Sequence, residues 1–235
     1  VVSIASEGIP EWLFTDMGII AAGGISSGVY TTDSSTQVKY LVNDSKTKFY
    51  FAENEEQLDK ILEVRDDCIS LEKIIVYDME GLHEFKDDQV ISYDEFIKIG
   101  EKLNTEQPDL WINLINEVQP SDIAILVYTS GTTGPSKGAM ISNQNLMYSI
   151  NIGLEVFKPE DNEEQLSFLP LCHILERSVS VMFPLKSGSV VNFAESIDTV
   201  PENIREVSPT AFIAVPRIWE KFYSSITIIM KDATF

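Results

Sequence analysis

The sequence predicts an α/β fold built from mostly parallel sheets with helices on both faces. Strand-like apolar runs alternate with amphipathic segments along nearly all of its 235 residues, and this alternation is typical of parallel strands joined by right-handed crossovers. The run at 123–128, Ile-Ala-Ile-Leu-Val-Tyr, has the composition of a strand buried on both faces. A loop of glycines, small hydroxyl residues and one lysine follows that strand, at the edge of the sheet where α/β proteins bind ligands.

In the first half of the chain, each predicted helix follows a predicted strand. Pro10 suits a first helical turn, because its missing N–H group has no helical partner there. Asn54 with Gln57, and Ser92 with Glu95, have the spacing of capping boxes. The predicted strands are 1–5, 25–31, 48–52 and 73–77; the predicted helices run from 10 to the glycines at 23 and 24, from Ser34 or Ser35 to 42, from 55 to 64, and from 92 to 103. The polar stretch 78–89 is predicted to be a surface loop.

The second half repeats the alternation after the glycine-rich loop. Ser142 is predicted to cap a helix whose apolar stripe includes Leu146 and Ile150. The further predicted strands are 166–169, 189–193 and 211–215; the further predicted helices are 174–186, 199–207 and one that begins near 217. A division near Pro120 would give two lobes, 1–119 and 120–235, within one larger domain.

The composition excludes several classes of protein. The formal net charge is −20, from 17 basic and 37 acidic residues, which argues against nucleic acid as a partner and against electrostatic docking on anionic lipid. Cys68 and Cys172 lie far apart without metal-ligand spacing, so we expect reduced thiols in a cytosolic protein and no bound metal. No apolar run approaches the ~20 residues of a transmembrane helix, and the first residues lack the basic region of a signal peptide.

The glycine-rich loop, residues 129–138, has the chemistry of an anion site. Its glycines allow unusual backbone angles that bring amide groups close to a ligand, and its hydroxyl groups add donors of little bulk. Lys137 supplies a point charge that phosphate oxygens can approach from several directions. The residues concerned are Thr129, Ser130, Gly131, Thr132, Thr133, Gly134, Ser136, Lys137 and Gly138. We therefore predict a phosphate-binding loop.

Two other interpretations of this loop were weighed. A Walker P-loop requires glycine before the lysine and a hydroxyl residue after it, whereas Lys137 lies between Ser136 and Gly138. A flexible glycine–serine linker is the simpler reading, but linkers rarely follow a core strand directly or carry a single lysine among small residues.

The loop and several other segments resemble the adenylate-forming superfamily, which includes acyl-CoA synthetases, luciferases and the adenylation domains of peptide synthetases. The segment Tyr128-Thr-Ser-Gly-Thr-Thr-Gly-Pro-Ser-Lys-Gly138 is similar to the family's signature loop. Further similar segments are Glu7–Trp12, Ala21–Gly24, Gly28–Thr32, Leu169-Pro-Leu-Cys-His-Ile-Leu-Glu176 and Val215-Pro-Arg-Ile-Trp-Glu-Lys221. The last of these resembles the form found in long-chain and bubblegum-type fatty acyl-CoA synthetases.

The resemblance implies the chemistry of an AMP-forming ligase. ATP and a fatty acid would give an acyl-adenylate and pyrophosphate, and CoA would then take the acyl group. The segment from Thr129 to Gly134, together with Lys137, would hold the β- and γ-phosphates. The acidic ligand of Mg²⁺ is expected outside this chain, since no Tyr-Gly-x-Thr/Ser-Glu or Thr-Gly-Asp segment occurs in it. We therefore expect an amino-terminal fragment, without a carboxyl-terminal domain, that is inactive alone.

Two further candidates follow predicted strands. His173 would position substrate or gate the acyl and thiol region by resemblance, although a lone histidine is more often structural. Arg217 could face the acyl site or simply start a helix beside Glu220. Glu176 and Arg177 are expected to cap or pair on their own helix, and His83 to be solvated.

Alternatives to a fatty-acid ligase remain at this stage. One is an adenylate-forming enzyme for aryl or amino acids, and another is a non-catalytic nucleotide-binding or scaffolding module. The expected location is the cytoplasm; peripheral contact with a membrane and the oligomeric state are left open by the sequence.

Overall fold

The computed structural model describes residues 1–129, 134–159 and 162–232. Within them a seven-stranded sheet has the spatial order β5-β4-β3-β1-β2-β6-β7. The strands are β1 (Val2–Ala5), β2 (Ser26–Val29), β3 (Phe49–Ala52), β4 (Lys73–Val76), β5 (Val90–Ser92), β6 (Ile123–Thr129) and β7 (Lys137–Ser142). Neighbouring strands are parallel except β6 and β7, which are antiparallel. The predicted class, mostly parallel sheet with helices, is confirmed.

Helices connect these strands, and a second, two-stranded parallel sheet follows them. The helices are α1 (Pro10–Ala21), α2 (Ser35–Ser45), α3 (Glu55–Leu62), α4 (Tyr93–Glu106), α5 (Leu110–Glu117), α6 (Asn143–Phe157), α7 (Ile174–Arg177), α8 (Phe183–Ser187), α9 (Val200–Val207) and α10 (Pro216–Asp232). A π-helical turn, Ser178–Met182, joins α7 to α8. The second sheet pairs β8 (Glu164–Ser167) with β9 (Val190–Phe193).

The large sheet is covered on both faces because consecutive strand residues point to opposite sides. In β3, Tyr50 packs into the core beneath α2 and α3, while Phe51 packs into the core that contains Trp12 of α1 and Ile150 of α6. This explains why β3, and β4 after its first residue, read as continuous apolar runs rather than as alternating ones.

Side-chain caps fix the beginnings of several helices where the sequence predicted them. Ser34 and Ser142 each form a complete capping box, with Gln37 and Asn145 respectively. Asn54 and Ser92 accept hydrogen bonds from the backbone amides three residues later, and these caps begin α3 and α4.

The strand assignments made from the sequence differ from the structure in three main ways. The predicted strand 211–215 is wrong, because only Ala211 forms an isolated bridge, with Gln165. The predicted strand 166–169 is displaced, since β8 ends at Ser167 and the apolar pair after it packs against α9 and α10 instead. The third difference concerns β5 and β7, which the sequence did not reveal. β5 is only three residues long, and β7 begins inside the glycine-rich loop.

The division near Pro120 is not tested by the sheet arrangement. β6 and β7 come after Pro120; β6 pairs with β2, and β7 pairs with β6, so the large sheet includes strands from both predicted lobes. The second sheet, with its own apolar cluster, lies entirely after Glu164. The lobes 1–119 and 120–235 stay a prediction.

Candidate functional site

A cleft of about 720 Å³ opens at the carboxyl ends of β2 and β6. Both ends of the glycine-rich loop line it, through Thr129 on one side and Gly134 to Ser136 on the other. α2 forms a second wall, and His173, immediately before α7, lies in a third. The structure therefore brings together two candidates that are about 40 residues apart in the sequence. This edge of a parallel sheet is the usual position of a ligand site.

The described parts of the glycine-rich loop are tied to β6 and α2. Thr129 and Lys137 face each other as Cα partners at the open end of the β6–β7 pair. The hydroxyl of Tyr40 on α2 donates to the carbonyl oxygen of Ser136 at 2.9 Å, and the hydroxyl of Tyr128 donates to Asp44 Oδ2 at 2.7 Å. Ser130, Gly131, Thr132 and Thr133 lie outside the described residues.

Two glycines of this loop have different physical roles. Gly134 has φ of +90°, a backbone conformation that L-residues with side chains rarely adopt. Gly138 instead makes room for an aromatic ring, since a Cβ atom there would lie 3.1 Å from Tyr128 Cζ. The prediction that glycine permits unusual backbone geometry in this loop is confirmed at Gly134.

Lys137 is exposed at the start of β7. No carboxylate among the described residues lies within salt-bridge distance of its ammonium group. Its charge is therefore not neutralised by that part of the chain, which is the arrangement an anion site requires.

His173 is held at the beginning of α7 with one ring nitrogen in use. Its Nδ1 atom accepts a hydrogen bond from the backbone amide of Leu175 at 3.2 Å, as an N-cap. The proton of the neutral ring is then on Nε2, which leaves a donor for the cleft. The preceding residue, Cys172, lies against Gly28 of β2, where an added Cβ atom would be only 2.5 Å from Cys172 Cβ.

Two side chains near the cleft floor, Cys172 and Tyr30, stay uncharged at neutral pH, and neither was among the predicted site residues. Burial, followed by the charges of Asp33 and Glu7, raises the pKa of the Cys172 thiol to about 12. Burial also raises the pKa of Tyr30 to about 12, with smaller contributions from Cys172 and Asp33. Cys172 is thus a protonated thiol and not a nucleophile. Both residues lie inside segments that resemble the family, Tyr30 in 28–32 and Cys172 in 169–176.

Glu176 and Arg177 were expected to cap or pair on their own helix; Glu176 does accept a hydrogen bond there, from Ser180, but its other contacts and those of Arg177 lie on other elements. Both are buried, at 3% and 0% exposure. The Arg177 guanidinium forms a two-point ion pair with Asp16 of α1, with Nε 3.0 Å from Oδ2 and Nη2 in contact with Oδ1. It also stacks on Trp12, 5.1 Å from the ring centroid. A contact between residues 161 positions apart has no local sequence signal, so this expectation is corrected.

Arg217 does not line the cleft. It is exposed in the first turn of α10, where the neighbouring aromatic residues Trp219 and Phe222 pack around Phe212. Its role toward an acyl group stays a prediction. His83 is exposed in the polar loop, as expected.

The described residues contain neither a clustered metal site nor a membrane-spanning helix. No group of three or more histidine, cysteine, aspartate or glutamate side chains in the described ranges could hold a metal ion. None of the helices described is both long enough and apolar enough to cross a bilayer.

Replacing Tyr40 with phenylalanine is expected to loosen the glycine-rich loop. The variant loses the hydrogen bond to Ser136 while keeping the ring, so the free energy of unfolding should fall by about 1 kcal/mol. Urea denaturation of the complete protein measures this, and Tyr148→Phe, at an exposed tyrosine, is the control. Equal stability of the two variants would contradict the anchoring role.

The fold and the cleft together define an α/β protein with a ligand site at the carboxyl edge of its sheet. Residues 1–233 match the family model described as AMP-binding enzyme, so the chain belongs to the AMP-binding enzyme family. The fold agrees with that of the amino-terminal domain of adenylate-forming enzymes. An anthranilate CoA ligase, AuaEII, in complex with anthranoyl-AMP superposes with a TM-score of 0.74 at 21% identity, over 93% of this chain and 40% of that one.

Curated relatives have higher sequence identity. The long-chain-fatty-acid–CoA ligase ACSBG2 of Homo sapiens is 35% identical over 92% of this chain and 32% of its own length. The ligase ACSBG1 of Rattus norvegicus is 31% identical over 100% of this chain and 33% of its own length. The chain thus spans about a third of the length of these relatives.

Proposed function

We propose that this chain is part of an ATP-dependent long-chain fatty acid–CoA ligase that works through an acyl-adenylate. The observation that carries the proposal is the cleft in which both ends of the glycine-rich loop meet His173. The curated relatives named above are ligases for long-chain fatty acids, and their identity to this chain supports that substrate class.

The proposed reaction requires no nucleophile from the protein. A carboxylate oxygen of the fatty acid attacks the α-phosphorus of ATP, the bond to the β-phosphate oxygen breaks, and pyrophosphate leaves with the electron pair. The protein's task is to orient the two substrates and stabilise charge on the phosphates. A thiol as weakly acidic as that of Cys172 suits this scheme, because it does not compete for the activated acyl group.

Thr129 and His173, which line the cleft, and Lys137, which follows the lining residue Ser136 without lining the cleft itself, have distinct places in this scheme. Thr129 and Lys137, at the two ends of the glycine-rich loop, supply a hydroxyl group and a positive charge for the β- and γ-phosphates. The Nε2–H group of His173 would orient the acyl or thiol substrate. Mg²⁺ bound together with ATP would supply neutralisation of phosphate charge, and its acidic ligand is still expected outside this chain.

The direct test is acyl-CoA formation by the complete protein from palmitate, ATP and CoA. Pyrophosphate exchange measured with fatty, aryl and amino acids separates the substrate classes. Exchange that depends on a long-chain fatty acid supports the proposal. Exchange with only an aryl or amino acid would show that the substrate belongs to that class and is not a fatty acid. ATP binding without any exchange would indicate a non-catalytic nucleotide-binding module.

Lys137→Ala tests the role of the charge at the glycine-rich loop. We expect turnover in pyrophosphate exchange to fall about a hundredfold, since a preorganised donor to developing phosphate charge is lost. Thermal stability should hardly change, because the side chain is exposed. Lys102→Ala, at an exposed lysine of α4, is the matched control. Unchanged turnover in Lys137→Ala would remove the residue from the phosphate site.

A further inference from the structure

We propose that Glu176 is a positioning residue for His173, because it closes the turn that carries the histidine by joining the end of β8 to α7. This inference rests on the function proposed above and adds to it a residue that does not line the cleft.

The Oε1 atom of Glu176 accepts three hydrogen bonds. Ser167, the last residue of β8, donates its hydroxyl at 2.7 Å, and the backbone amide of Phe168 donates at 3.2 Å. Ser180, one turn later in the same helical run, donates its hydroxyl at 2.8 Å. One buried oxygen therefore holds a strand end and a helix together across the base of the intervening turn.

His173 lies in the turn between β8 and α7, and the hydrogen bonds to Glu176 hold the two ends of that turn together. Its backbone amide donates to Pro170 at 2.9 Å, and its carbonyl oxygen accepts from the amide of Arg177 at 3.0 Å. Cys172, one residue earlier, is in close contact with Gly28. With its two ends fixed by Glu176 and its middle packed on β2, the turn has little room to move the imidazole relative to the glycine-rich loop.

The residue after Glu176 anchors the same helical turn to a different element. Arg177 and Asp16 are both fully buried and form a two-point ion pair between α7 and α1. This pair fixes the helix against the core of the large sheet, whereas the Glu176 contacts fix the turn against the helix. These buried contacts together fix the position of His173 relative to the sheet.

The chemistry of Glu176 favours positioning over stability alone. Burial raises its pKa, and the hydrogen bonds from Ser167 and Ser180 oppose that effect only in part. A buried carboxyl group contributes little net stability compared with a well-packed apolar side chain. What it supplies, and leucine cannot, is an acceptor that fixes three donors at defined distances.

The experiment uses Glu176→Leu and Glu176→Gln in the complete protein. Leucine removes the acceptor at similar volume, so we expect turnover in pyrophosphate exchange to fall by about tenfold to a hundredfold, as small misplacements do. Glutamine keeps an accepting oxygen and is expected to restore turnover to within about twofold of the natural protein. Ser180→Ala removes one of the three donors, so its turnover should lie between those of Glu176→Leu and Glu176→Gln. The control is Ser178→Ala, because Ser178 is on the same turn but donates to Ile174.

Two readouts separate positioning from general damage. In a His173→Ala background, Glu176→Leu should cause no further loss of turnover, because the group that it positions is already absent. In ¹⁵N-histidine NMR spectra, with His173→Ala used to assign the signal, the natural protein should show the Nε2–H tautomer of His173 and Glu176→Leu a mixture. Additive losses in the double variant, or an unchanged tautomer in Glu176→Leu, would overturn the inference.

The two proposals fail in distinguishable ways. If the natural protein shows no exchange with any acid, the proposed function is wrong, but the NMR comparison still tests whether Glu176 orders His173. If exchange is normal and Glu176→Leu changes neither turnover nor tautomer, only the positioning role is wrong.

Discussion

Gly28→Ala is expected to destabilise the protein by about 3 kcal/mol, at the upper end of the cost of overpacking a core. The added methyl group would lie 2.5 Å from Cys172 Cβ and 2.6 Å from Cys172 Cα. The second of these contacts is with the main chain, so a change of rotamer cannot relieve it. β2 and the turn before His173 must separate, which also widens the cleft. Urea denaturation and pyrophosphate exchange should therefore both respond.

The control for this variant is Gly100→Ala. Gly100 lies in the exposed part of α4, and nothing lies within 4 Å of the position of its missing Cβ atom. Alanine there should stabilise the helix by about 0.5–1 kcal/mol. If Gly28→Ala were as stable as the natural protein, the close contact between β2 and Cys172 would not be a constraint on the fold.

Arg177→Met is expected to have the largest effect on stability, a loss of about 3–5 kcal/mol in the free energy of unfolding. It leaves the carboxylate of Asp16, which is 0% exposed, without its buried partner. It also removes the cation from the face of Trp12. The measurement is the shift in the urea midpoint of the complete protein, followed by tryptophan fluorescence.

A double variant, Asp16→Leu with Arg177→Met, separates the charge from the packing. Apolar replacement of both partners of a buried pair is often neutral or stabilising, so we expect the double variant to regain most of the lost stability. Should it remain as unstable as Arg177→Met alone, lost packing around Trp12, and not an unpaired charge, would explain the single variant.

The sequence predicted those parts of the fold that depend on local patterns. Capping residues such as Ser34 and Ser142 act on amides three residues away, and their helices begin where predicted. The predicted strand at 211–215 was wrong because its apolar pattern reports burial and not pairing with another strand. Its apolar residues do pack against the cluster that includes Leu166 and Phe168, but burial of a segment does not require it to join a sheet.

The sequence predicted only those parts of the site whose residues lie close together along the chain. The glycine-rich loop was recognised by its composition, and His173 by its position after a predicted strand. The ion pair of Asp16 with Arg177, and the approach of Gly28 to Cys172, join positions more than 140 residues apart. A single sequence shows each member of such a pair as an ordinary residue, because nothing local marks its partner.

The antiparallel pairing of β6 with β7 has a consequence for the phosphate site proposed for this chain. In a Walker-type site the chain leaves the strand into a helix, and the partial positive charge at that helix terminus faces the phosphates. Here β6 ends at Thr129, β7 runs antiparallel to it from Lys137, and the next helix in the described residues begins at Asn143. At the phosphate site proposed above, attraction for the anion would then come from side chains and individual amides. Grafting this loop onto another scaffold would accordingly require the returning strand and its lysine, not a helix placed behind it.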